Sequence, residues 1–120
     1  MKKLGFIAAL LFVFVGSKAQ PKSYAAEMAK TVMTIWKDSM TNGRPARWSY
    51  DQSVILKGIE GLWRATGEKK YFDYIQKSMD LFVEDNGNIR TYDQKDFNID
   101  NVSCGRNVLL LYNVTGKEKY

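Results

Sequence analysis

RWSYDQSVILKGIEGLWRATGEKKY, residues 47–71, decides the fold because the chain nearly writes it twice. The second copy is DNVSCGRNVLLLYNVTGKEKY, residues 100–120, offset by 49 positions. Asp51 falls on Asp100, Lys57 on Arg106, Leu62 on Leu111 and Trp63 on Tyr112. Thr66-Gly67 falls on Thr115-Gly116, Lys70 on Lys119 and Tyr71 on Tyr120. Self-similarity at a period of roughly 20–50 residues marks an architecture of stacked supersecondary units. The ends of the two copies carry the architecture, and their differing beginnings carry the function.

In the first copy, Val54, Ile55, Gly58, Ile59, Leu62 and Trp63 recur at helical spacing. Ser49 or Asp51 can cap the start of this helix, and Gly67 can end it in a left-handed conformation. Gly58 and Gly61 each cost up to ~1 kcal/mol against alanine inside a helix, which predicts a neighbour packed closely against them. Residues 69–84 set Phe72, Ile75, Met79 and Phe82 on one face and Lys70, Asp73, Gln76, Lys77 and Asp80 on the other, the pattern of a surface helix. The short connection at 66–70 makes the two helices an αα-hairpin.

Working outward, residues 21–38 read as an earlier helix with the stripe Ala25, Ala29, Val32, Met33, Trp36 and Met40, and with Pro21 in its first turn. TNGRPA, residues 41–46, breaks it. Downstream, residues 85–88 form a turn, 89–92 suit a short extended piece, and 93–101 are polar and irregular. A fourth helix begins near Val102 and ends at Thr115-Gly116. Outer and inner helices alternate along the chain. Such hairpins either close into a ring, an α/α barrel, or stack as an open solenoid.

Residues 1–19 stand apart. Lys2-Lys3 precede an uninterrupted apolar run from Leu4 to Val15, and Ser17-Lys18-Ala19 supplies small residues for cleavage. This is the pattern of a secretory leader, too short to span a membrane. The expectation is an exported protein, periplasmic or extracellular, whose domain occupies residues 20–120. Losing Lys2, Lys3 and Lys18 and no acid lowers the net charge from +5 to +2. The remaining basic residues are scattered, which argues against nucleic acid as a partner, and no membrane partner is expected after leader removal. Gly116-Lys-Glu-Lys-Tyr120 repeats the five residues that open a new helix in the first copy, so the sequence reads as the N-terminal part of something longer.

A single cysteine, Cys104, leaves no disulfide framework, and its apolar surroundings suggest a small buried hydrophobe. The chain has no histidine, so it cannot by itself build a Ser-His-Asp or Cys-His site or a His-ligated zinc. The Asp93, Asp96, Asn98, Asp100 cluster lacks the glycine and terminal glutamate of an EF-hand, and no metal is expected. Asn101-Val-Ser and Asn113-Val-Thr are glycosylation sequons only in a source that glycosylates, and Thr115 is better explained by the helix end.

The segments leading into the inner helices, residues 47–52 and 96–101, combine aromatics, carboxylates and side-chain amides. Those groups stack on and hydrogen-bond a sugar or similar polar ligand. Helix N-termini there favour an anionic group, so a carboxylated sugar fits better than a neutral one. The competing reading is that Asp51 and Asp100 are simple N-caps, each worth ~1 kcal/mol, and that Trp48 and Tyr50 are rim packing.

RWSYDQSVILKGIEGLWRATGEKKYFDYI followed by DNGNIRTYDQKDFNIDNVSCGRNVLLLYNVTGKEKY resembles the N-terminal third of the unsaturated rhamnogalacturonyl hydrolases. These are glycoside hydrolases of family 105, akin to the unsaturated glucuronyl hydrolases of family 88. The resemblance covers about residues 24–120. It implies an all-α fold, an (α/α)₆ barrel of which this chain holds the first two and a half hairpins. It also implies release of a 4,5-unsaturated uronic acid from the non-reducing end of lyase-generated, pectin-type oligosaccharides. An aspartic acid protonates the vinyl-ether double bond, water adds at C5, and the hemiketal collapses; no cofactor takes part.

Carried over residue by residue, Asp100 in NIDN matches the family's assisting aspartate, with Asn101 beside it at the pocket. Trp48, Tyr50 and Gln52 match its pocket-lining WxYxQ segment. The glycine usual after that glutamine is Ser53 here, a change expected to alter only packing. The family's principal acid lies in a later Asp-Gly-Leu-Tyr-like segment, which these 120 residues do not contain, so the chain alone is expected to be inactive. Two alternatives stay open: a non-catalytic sugar-binding or helical-repeat interaction module, and another α/α barrel sugar enzyme such as an epimerase.

Overall fold

The computed structural model describes residues 23–41 and 43–120. The proposed leader and Pro21 lie outside them. Among the described residues four α-helices follow one another: α1 (Tyr24–Ile35), α2 (Tyr50–Thr66), α3 (Lys69–Asp80) and α4 (Gly105–Thr115). Two 3-10 turns, Gln94–Asp96 and Ile99–Cys104, lead into α4. Among the described residues the only β pairing is one isolated antiparallel bridge between Val83 and Ile89. The fold is all-α, as expected.

α2 and α3 form the hairpin expected from the repeat, with α1 and α4 packed against α2 and with α4 also touching α3. The core joins Leu56 and Ile59 of α2 to Tyr71, Tyr74, Ile75 and Met79 of α3 and Leu110 and Leu111 of α4. Tyr71 and Tyr74 are buried although the apolar stripe of α3 omits them. The Tyr74 hydroxyl donates to the Trp36 carbonyl at 2.6 Å, which gives its polar tip a partner and leaves the ring free to pack. Conversely, Val54 belongs to the expected stripe of α2 but is exposed, and Leu56 takes its place in the core.

The two repeat ends are built alike. Gly67 and Gly116 both adopt left-handed conformations, at φ +69° and +66°. Their N–H groups donate to the Trp63 and Tyr112 carbonyls, each at 2.8 Å. The preceding threonines repeat the match: Thr66 Oγ1 donates to the Leu62 carbonyl and Thr115 Oγ1 to the Leu111 carbonyl. Each threonine oxygen then accepts from the N–H two residues on, at Glu68 and Lys117. These bonds satisfy orphan groups at the helix ends, and any side chain beyond glycine at C′ would be strained.

Four local expectations are corrected. α1 ends at Ile35 and α3 at Asp80, so Trp36, Met40 and Phe82 act from the segments beyond them. α4 starts at Gly105, because residues 99–104 wind as a 3-10 turn instead. Nothing lies within 4 Å of a Cβ placed on Gly58 or Gly61. Gly58 instead opens onto an apolar groove shared by α1 and α2.

Candidate functional site

The segments before α2 and α4 meet around a cleft of about 610 Å³. Trp48, only 5 % exposed, ties its walls together. The Trp48 N–H donates to Thr91 Oγ1 at 2.7 Å, and its indole Nε1–H donates to the Asn101 carbonyl at 2.7 Å. Its ring meets Phe82 edge-on at 6.1 Å and Tyr92 at 6.3 Å. Thr91 sits at φ +62°, a conformation strained for a β-branched residue, and its bond to Trp48 helps hold it there.

Asp100 and Asn101 line the cleft from the turn Ile99–Cys104. The Asp100 N–H donates to Asn98 Oδ1 at 3.0 Å, and Ser103 Oγ donates to the Asp100 carbonyl at 2.9 Å. Its backbone is thus held, while no ion pair among the described residues engages its carboxylate. Asp51 reaches the same cleft from the first turn of α2. Neither aspartate is a capping residue. Asn98 caps the 3-10 turn, and Ser49 stands at the N-cap of α2 with no side-chain cap bond. The asparagine and aspartate oxygens of the polar loop make local turns of their own, Asp93 accepting from the Lys95 N–H at 2.9 Å.

Tyr50 lines the cleft and is 52 % exposed. The Asp51 carboxylate beside it, first by hydrogen bonding and then by charge, pushes its phenol above the ordinary value; Asp100 adds to the effect. The hydroxyl therefore keeps its proton at neutral pH and can donate it to a ligand.

Gln52 sits elsewhere. It is 2 % exposed and off the cleft wall. Its Oε1 accepts from Ser39 Oγ and the Met40 N–H, both at 3.0 Å, fastening the irregular segment after α1 to α2. Ser53 is more than packing. It donates to the Ser103 carbonyl at 2.8 Å and lies 2.9 Å from the Asn107 side-chain amide, joining the two inner helices. Cys104, fully buried, places its thiol 3.0 Å from the Ser49 carbonyl. Burial pushes that thiol up to about 11, so it stays protonated and inert at neutral pH.

Sequence reasoning passed over Met40, Thr41, Arg44 and Thr91, which also line the cleft, and gave no individual role to Arg47 and Asp96, which open the two segments it singled out. Arg44 and Arg47 flank Pro45 immediately before the WSYDQ segment, a signal that was available. Thr91 offers none, because only its 43-residue reach to Trp48 makes it part of the wall.

The fold and cleft define a unit of packed helical hairpins with carboxylates, amides and aromatics gathered at the starts of its inner helices. The chain belongs to Glycosyl Hydrolase Family 88, whose profile matches residues 23–120. It is similar to the solved glycoside hydrolase from family 105 of C. acetobutylicum ATCC 824, with 33 % identity and a TM-score of 0.73 over 82 % of this chain. The match spans 26 % of that relative's length, and within it the hairpins follow the barrel fold expected from the sequence.

Proposed function

We propose that this chain contributes the assisting half of a hydrolase site that releases 4,5-unsaturated uronic acid from lyase-generated, pectin-type oligosaccharides. The observation that carries the reading is the Asp100 carboxylate. Its backbone is pinned from two sides, the residue lines a cleft together with Asn101 and Tyr50, and the chain belongs to a glycosyl hydrolase family.

On this reading the Asp100 carboxylate orients the water that adds at C5. The proton delivered to C4 comes from a separate carboxylic acid, and the resulting hemiketal breaks the glycosidic bond. Tyr50 and Asn101 supply hydrogen-bonding groups for sugar hydroxyls, and Trp48 holds the wall. The 120 residues hold no counterpart of the family's principal acid, so the chain alone turns over no substrate. The same proposal takes residues 1–19 as an export leader and a soluble oligosaccharide as the partner.

The test uses a reading frame extended beyond Tyr120 and follows loss of the ultraviolet absorbance of the conjugated uronate. Asp100→Asn should lower the rate by about 100-fold or more. An unchanged rate would return Asp100 to a structural part, and no absorbance change in the parent protein would sink the reaction.

A further inference from the structure

We propose that Arg44 and Arg47 form a carboxylate-binding wall of this cleft, so that it selects acidic over neutral oligosaccharides. The inference rests on reading the cleft as an oligosaccharide site. Both arginines line it, and both are exposed. Neither makes an ion pair among the described residues, although Asp51, Asp96 and Asp100 line the same cleft. The Arg44 N–H donates to the Thr41 carbonyl at 2.7 Å, which closes a turn that Pro45 then stiffens.

A guanidinium presents paired N–H donors that match the two oxygens of a carboxylate, a geometry neutral hydroxyls do not offer. α2 adds to the field. It is 17 residues long, begins at Tyr50 beside these arginines, and has no side-chain cap on its first N–H groups. The three aspartates of the same cleft repel an anion, so the two guanidiniums are the groups of this lining that can pair with a ligand's carboxylate, while the aspartates accept from its hydroxyls. The carboxylate is either that of the terminal unsaturated uronate or that of the sugar next to it.

Calorimetry on the chain separates these cases with three probes: unsaturated digalacturonate, its dimethyl ester, and an unsaturated uronyl disaccharide whose second sugar is neutral. The Arg44→Ala/Arg47→Ala variant should bind the diacid about 10–100-fold more weakly and the ester unchanged. An equal loss on the third probe assigns the terminal carboxylate; retention there assigns the neighbouring one. Arg44→Lys/Arg47→Lys should recover part of the loss. In the parent protein, affinity for the diacid should fall with added salt while that for the ester does not. A diacid-to-ester preference that is absent, or that survives the double substitution, overturns the proposal. Charge-selective binding with no hydrolysis in the extended protein would instead sink only the enzymatic reading.

Discussion

The Trp48 indole N–H donates to the Asn101 carbonyl at 2.7 Å, so the start of α2 holds the loop that presents Asp100. Trp48→Phe keeps most of the packing against Phe82 and Tyr92 but leaves that carbonyl without its donor. Unfolding free energy should drop by about 1–2 kcal/mol, read by urea denaturation. Oligosaccharide binding should weaken as well, because the Asp100 loop loses its anchor. A variant with full stability and full binding would show that Phe82 and Tyr92 alone suffice.

Gln52 and Ser53 are buried polar neighbours with opposite duties, one toward the segment after α1 and the other toward α4. Gln52→Leu strands the Ser39 hydroxyl and the Met40 N–H and should cost about 2 kcal/mol. Ser53→Gly removes the bridge to α4 and adds the glycine penalty within a helix, for a loss of about 1–3 kcal/mol. Denaturation midpoints of both variants check these values. Stability equal to the parent would mean that water replaces the lost partners.

Gly58 and Gly61 have open space where a Cβ would go. Alanine at either position should therefore stabilise the chain by about 0.5–1 kcal/mol through helix propensity, measured as a higher melting temperature. Destabilisation would reveal a partner that covers this face of α2.

Cys104 links stability to alkaline pH. Its folded value of about 11 lies above the ordinary 9.0, so the folded state holds the thiol proton more tightly than the unfolded state does. The resulting stability is present below pH 9 and is lost as pH rises from 9 to about 11, on the order of 2 kcal/mol. Cys104→Ala should flatten this limb of a stability-versus-pH curve. Thiol reagents should label the native chain slowly at neutral pH and the denatured chain at once.

Glu60 governs the acid side. Burial disfavours its charge, but Lys57 at 2.8 Å and Arg64 at 2.7 Å together outweigh burial and lower its value below 4.5. A lowered carboxylate contributes stability above its unfolded value and loses it as pH falls through the folded one. Glu60→Gln should cost about 1 kcal/mol at pH 7 and shrink the drop seen below pH 4.5. An unaltered acid limb would place its origin in other carboxylates.

How far the sequence could be read follows from the reach of each bond. The helix ends were legible because Thr66, Gly67, Thr115 and Gly116 find their partners two to four residues away. The αα-hairpin was legible for the same reason. The bonds that bring the two segments together were not: Trp48 reaches Asn101 across 53 residues, Ser53 reaches Asn107 across 54, and Cys104 reaches Ser49 across 55. No local pattern distinguishes a tryptophan that stacks on a sugar from one that anchors a loop. Gln52 shows the same ambiguity, since a WxYxQ spacing gives its position on the helix but not which side of it is covered. The 3-10 turn at Ile99–Cys104 escaped because its apolar spacing continues smoothly into α4.

The Thr-Gly closures carry one more consequence. Each is complete within its own copy and draws nothing from neighbouring helices, so a hairpin can be duplicated with its exit already finished. The entrances, by contrast, are sewn to distant segments. A hairpin's exit therefore depends only on its own residues, whereas its entrance, where the cleft lies, takes its shape from the neighbours it meets.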